Sequence, residues 1–282
     1  MRRIFYNPLN LSKEVKWLSG AACFAEIARC AGSWDSKAIE DRVKNGLISL
    51  GEADPDNGMR RLLRGELPSD RTIGRLLGAY PAFEIPYWRD HGLWVVLEAE
   101  TPSVPRILRA LDTLSPAIRN VIVASSNDQP NQTVHFKHFD AETIRALEAL
   151  GGSDAMLALT ALVRHCDASA TMHLRDIVAA ATLSLFPRVV GVSPHLFVSW
   201  PLLFKRFADS IWRRSLSETA SPHELKAVTR HLSRIASAAR RVGVSLPPDR
   251  IVARSLSAIA QCPRRSGGNP SDIAAAVLSS AG

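Results

Sequence analysis

The sequence predicts a mainly α-helical protein, and three observations carry that expectation. Apolar residues recur at three- and four-residue intervals over most of the 282 residues. Helix start and stop signals punctuate those runs. β-type texture is confined to one stretch, between Asn120 and Phe139. A hydrophobic fraction of 46% with 22% charged residues suits a folded chain with a substantial core.

The elements follow in order. Leu11 to Cys30 and Ser36 to Leu50 have helical periodicity. A short helix is expected over Asp56 to Arg64, with Asp56 as N-cap, because its carboxylate can accept from first-turn amides and complements the dipole. Gly65 follows Met59, Leu62 and Leu63 and supplies the left-handed stop, and Pro68 blocks continuation. Ser69 then caps a further helix with Ile73, Leu76 and Leu77 at core spacing. Pro86 starts a helix through Trp94 and Leu97, and Thr101 to Pro105 is a linker or a helix start. Val121-Ile122-Val123 and Thr133 to Phe136 read as a small hairpin-like insertion near 120–139. Helices resume over Asp140–Leu150, Ser153–Cys166, Met172–Phe186, His195–Leu216, Pro222–Val242, Pro248–Cys262 and Pro270–Ser280, which permits a helical bundle or an irregular helical array. Two domains are expected: 1–100, a helix-turn-helix domain with flanking helices, and 101–282, a helical domain with a basic surface.

The stretch Arg64-Gly65-Glu66-Leu67-Pro68, with Thr72, Ile73, Leu76 and Leu77 after it, resembles the lambda-repressor-like (Cro-type) helix-turn-helix family. In that family a recognition helix runs into a Gly-x-x-Pro turn and then a packing helix. Tyr80-Pro81 and the Trp88 to Trp94 segment also look like bacterial proteins that continue such a unit in this way. The resemblance covers residues 36–98. It implies that Asp56 to Arg64 reads bases, with Asn57, Arg60, Arg61 and Arg64 near DNA. The chain departs from the family before the recognition helix, where Gly46 to Pro55 replaces a Gln-x-x-Leu-Ala scaffold helix.

Charge is distributed unevenly. Lys plus Arg against Asp plus Glu is 14 against 14 over residues 1–100, 8 against 8 over 101–200, and 13 against 5 over 201–282, so the net +8 lies in the last third. A cationic third suits a polyanion through counterion release. Pro222 to Val242 gives the cleanest amphipathic helix: Leu225, Val228, Leu232, Ile235, Ala236, Ala239 and Val242 on one side, Lys226, Arg230, Arg234 and Arg241 on another. Lys205-Arg206 and Arg213-Arg214 add cations on a neighbouring apolar helix, and Arg71 adds one beside Ser69.

Catalytic and metal patterns are weak. On a strand, His135 and His138 point to opposite faces, so they and Asp140 make a poor metal site. His165-Cys166-Asp167 spreads its side chains about 100° apart per residue, which suits a buried helix-end thiol better than a nucleophile. Arg175-Asp176 reads as a solvated pair. Trp88 and Trp94 are expected to pack a domain joint. Cys23, Cys30, Cys166 and Cys262 have no zinc spacing and read as thiols of a reducing compartment. No phosphate-cradling or nucleotide-binding glycine pattern occurs, and no cofactor is expected. Polar residues break Phe5 to Trp17, so no secretory leader is expected. Prolines break the most apolar window, Ile177 to Leu203, which disfavours a membrane span.

These readings converge on a cytoplasmic, non-enzymatic transcription regulator that binds double-stranded DNA or another nucleic acid, with self-association possible. The alternative is a protein-interaction subunit of a larger nucleoprotein assembly, in which the degenerate helix-turn-helix packs on a partner. A third class is an enzyme with an unrecognised all-α active site.

Overall fold

The computed structural model describes residues 11–49, 61–62, 66–126, 133–212, 222–248 and 250–252. Among them are thirteen α-helices and one antiparallel strand pair. The helices are α1 Lys13–Ala31, α2 Ser36–Ser49, α3 Asp70–Ala79, α4 Ile85–Arg89, α5 Leu93–Val96, α6 Val104–Ala110 and α7 Pro116–Ile122. After strands β1 Val123–Ser126 and β2 Thr133–Phe136 come α8 Ala141–Leu150, α9 Gly152–Ser169, α10 Met172–Val190, α11 Pro194–Phe197, α12 Trp200–Phe207 and α13 Pro222–Arg241. A π-helical turn, Ala208–Trp212, extends α12.

Contacts divide the chain into two units that interleave along the sequence. Among the described residues, the first takes those up to Asp90, Val190–Phe204 and those from Ser233; the second takes those within His91–Val189 and Lys205–Leu232. The expected consecutive domains, 1–100 and 101–282, describe the chain differently.

The first unit is organised by α1. This helix is buried on all sides from Leu18 through Ala28, including Ser19 and Glu26, as a central helix must be when neighbours surround it. It packs against α2, α4 and α11, and α2 packs on α3. Gly32, at φ 65°, closes α1 in the left-handed conformation that glycine adopts without steric cost. Asp35 then accepts from the amides of Lys37 and Ala38 and starts α2. Ser69 caps α3 as its sequence predicts, its hydroxyl accepting from the Thr72 amide at 3.2 Å. Tyr80, just past α3, donates to the Arg42 carbonyl on α2 at 2.7 Å. The ring lies so close over Gly46 that a β-carbon there would overlap it.

The second unit is organised by α9, buried from Ala155 through Val163 and packed against α5, α6, α7 and α8. Asp154 on its first turn accepts from the Ser115 amide at 2.9 Å, tying α9 to the start of α7. Asp140 and Thr143 form a reciprocal capping box at α8. The strands pair from Val123 opposite Phe136 to Ser126 opposite Thr133. The Phe186 ring meets Phe207 and Trp212 edge-on, and the Trp212 indole N–H donates to Thr182 at 3.0 Å.

Several element boundaries differ from expectation. Val121 and Ile122 end α7 instead of opening the strand, because Pro116 starts a helix that runs through them. Pro105 likewise starts α6, so the Thr101 to Pro105 segment is a helix start. The single helix expected from Pro86 to Leu97 is two short ones, parted at Asp90-His91-Gly92, where Gly92 sits directly against the Ala110 carbonyl. Helix α10 continues through Pro187 to Val190. The run from His195 is divided by Pro201, which enters the first turn of α12. Of the expected helix Asp56 to Arg64, Arg61 and Leu62 are described and helical; Pro270–Ser280 and most of Pro248–Cys262 lie outside the described residues.

Candidate nucleic-acid interface

Pro68 and Asp70, at the start of α3, are held from α4. The buried Arg89 guanidinium donates to Asp70 at 2.5 Å, forks onto both oxygens of Asp90 at 2.9 Å, and reaches the Pro68 carbonyl. Position 68 and the first turn of α3 are thus fixed by a side chain 19 residues on from Asp70. Leu62 is buried while Arg61 is exposed. Arg61 donates to Glu66 at 2.7 Å, both side chains remaining about half exposed or more. Arg71 is exposed on the first turn of α3.

Helix α13 carries the most regular cationic face. Thr229, Leu232, Ala236 and Ala239 are buried at intervals of three and four residues. Arg230, Arg234, Ser237 and Arg241 are exposed at the complementary positions. At 100° per residue these four fall within an arc of about 60°, and they run about 16 Å along the axis. Arg240 leaves that row: its guanidinium lies 5.5 Å over the Phe197 ring and donates to the Pro247 carbonyl. Val242, expected on the apolar side, lies beyond the last helical turn and is 80% exposed.

The remaining expected contacts divide three ways. Lys205 is half-buried. Arg206 is buried, its guanidinium donating to the Leu97 carbonyl at 2.8 Å, so it is not a surface cation. Asn57, Arg60, Arg64, Arg213 and Arg214 lie outside the described residues, as does the side chain of Lys226.

Two buried ionic groups have no signature in the sequence. In the first unit the fully buried carboxylate of Glu26 accepts from His195 Nε2 at 2.8 Å, from Arg29 at 2.9 and 3.0 Å, and from the Glu84 amide at 2.9 Å. The Cys30 thiol approaches it at 3.4 Å, and Trp88 stacks on His195 at 4.1 Å. Burial alone would raise the Glu26 pKa, but donation from His195, Arg29 and Glu84 outweighs it and holds the value down to about 2. Burial and then the Glu26 charge push the Cys30 thiol up to about 11. The carboxylate stands between thiol and imidazole, so His195 cannot deprotonate Cys30, and no thiolate nucleophile is built here.

In the second unit Arg164 donates to the carbonyls of Val96, at 2.8 Å, and Glu98. With Arg206 on Leu97, it satisfies the carbonyls that end α5. Arg175 is fully buried and donates to Asp167 at 2.5 Å and to the Ile211 carbonyl at 3.0 Å. The expectation of a solvated Arg175-Asp176 pair is therefore corrected: α10 turns Arg175 inward onto α9, and Asp176 stays exposed at 3.9 Å. Cys166 is buried at the end of α9, and His165 stacks on Phe136 at 4.2 Å. Trp88 and Trp94 are buried core residues.

Among the described residues no group of three or more His, Cys, Asp or Glu is placed to hold a metal ion. No helix of the described residues is long and apolar enough to cross a membrane. No protein-family model matches the chain, and neither a curated protein nor a solved structure matches it.

Proposed function

We propose that this protein is a non-enzymatic DNA-binding regulator, in which a helix-turn-helix unit ending in α3 and the basic surface of α13 both contact nucleic acid. The observation that carries the reading is the solvent-facing row Arg230, Arg234 and Arg241 on a helix whose opposite side is buried. It displays part of the positive excess of the last third, where cations outnumber acids 13 to 5. The capped α3, its turn clamped by Arg89, and the exposed Arg71 suit the packing helix of a helix-turn-helix. The test is a fluorescence-anisotropy titration of the full chain with a random duplex at 50 and 200 mM salt. Binding that weakens steeply with salt is expected; failure to bind at the lower salt overturns the reading.

A second reading, a protein-interaction subunit of a nucleoprotein assembly, draws on the Arg61–Glu66 pair. An arginine that already has an acidic partner is a weaker phosphate ligand than a solvated one. Co-purification of a stoichiometric protein partner, with no nucleic acid retained, would favour it.

A further inference from the structure

We infer that α13 is a sequence-neutral clamp for the phosphate backbone of duplex DNA, contributing affinity and no base recognition. This rests on the DNA-binding reading and assigns the helix its partner chemistry. Arg230, Arg234 and Arg241 recur at about one per turn or two along a straight edge of about 16 Å. Duplex DNA carries about one negative charge per 1.7 Å of axis with both strands counted, so a span of that length carries about ten charges, about five on each strand. The helix itself contains no acid after Glu224.

The residues between the arginines select among polyanions. On the exposed side they are His231, Ser237 and Ala238. Single-stranded nucleic acid is held by bases stacked on Phe, Tyr or Trp, and α13 has none of these. Anionic membranes are held by cations beside an apolar face that enters the lipid, whereas here Leu232, Ala236 and Ala239 are buried within the protein. α13 contains neither Asn nor Gln, the side chains that fork onto adenine in the major groove; arginine also forks onto guanine, and comparing duplexes of unrelated sequence separates that from phosphate contact. A surface of arginines with small spacers contacts phosphates and positions the protein on the duplex.

The experiment compares the full-length protein with the double variant Arg234→Ala, Arg241→Ala. Both replaced side chains are exposed, and circular dichroism checks that the fold is retained. Anisotropy is measured against two duplexes of unrelated sequence, a single strand of equal length, and phosphatidylserine vesicles, from 50 to 200 mM salt. The expected result is that the variant weakens on both duplexes to the same extent. The slope of log affinity against log salt becomes shallower by about 2, one unit for each phosphate that the variant leaves unneutralised. Wild-type binding with an unchanged slope in the variant would overturn the clamp and leave the DNA-binding reading standing. An effect confined to one duplex would overturn it in favour of base reading. Binding of the single strand or the vesicles tighter than of either duplex, and sensitive to the same variant, would overturn it in favour of those partners. Absence of all duplex binding by the wild type would remove both readings together.

Discussion

His195 Nε2 lies 2.8 Å from Glu26 Oε2 across 169 residues of sequence. With the carboxylate ionised, the imidazole donates, and its ring is pressed flat on Trp88. The same carboxylate accepts the Glu84 amide at the start of α4, so one side chain on α1 secures both α4 and α11. A buried charge is tolerated only where several donors replace its water, and Glu26 has them.

Glu26→Ala removes the acceptor from Arg29, His195 and the Glu84 amide at once. The expected cost is about 3 kcal/mol, mostly from the buried His195 imidazole losing its acceptor. Urea denaturation followed by circular dichroism measures it; a cost below about 1 kcal/mol would show that the network does not hold the first unit together.

The depressed pKa of Glu26 gives that stability a direction in pH. The group's contribution is complete above its ordinary value of 4.5 and is lost as pH falls through about 2. Between those limits the wild type should therefore lose about 3 kcal/mol more than Glu26→Gln, whose amide does not titrate. Parallel stability profiles from pH 5 to 2 for the two proteins would contradict this.

Cys30 is half-exposed yet should be unreactive. With its pKa at about 11, the thiolate fraction at pH 8 is about 100-fold below that of an ordinary thiol. Peptide mass spectrometry after timed iodoacetamide treatment should find it alkylated correspondingly slowly. Labelling at the rate of free cysteine would show that neither burial nor the Glu26 charge is felt at the sulfur.

Two glycines should respond oppositely to alanine. At Gly92 a β-carbon would fall on the Ala110 carbonyl, so Gly92→Ala should destabilise by about 2–3 kcal/mol. At Gly74, exposed within α3, a β-carbon meets nothing within 4 Å, and Gly74→Ala should stabilise by about 1 kcal/mol. Thermal melts of the two variants should move in opposite directions.

Asp167 faces the guanidinium groups of Arg164, at 3.6 Å, and Arg175, at 2.5 Å, all three side chains being almost wholly buried. Asp167→Ala removes the buried carboxylate that Arg164 and Arg175 share, leaving Arg175 only the exposed Asp176 at 3.9 Å, and a cost of about 3–5 kcal/mol is expected. Chemical denaturation would detect it, and a neutral result would mean that the backbone carbonyls alone suffice for both arginines.

The sequence by itself determined what depends on a few neighbouring residues. Periodicity located α1, α2, α8 and α9, and side-chain oxygens at Ser69 and Asp140 started helices where their types and positions require. The cationic row of α13 was legible too, because 100° per residue fixes which positions share a face. Tertiary structure alone decided which charges reach water. Arg175 and Arg206 read as surface residues until packing turned them onto Asp167 and the Leu97 carbonyl. Glu26 and His195 have no local pattern linking them, and Arg89 gives no sign that it clamps Pro68 and Asp70. Caps and propensities act within one turn of chain, whereas pairing of buried charges is set by the route that returns distant segments to one core.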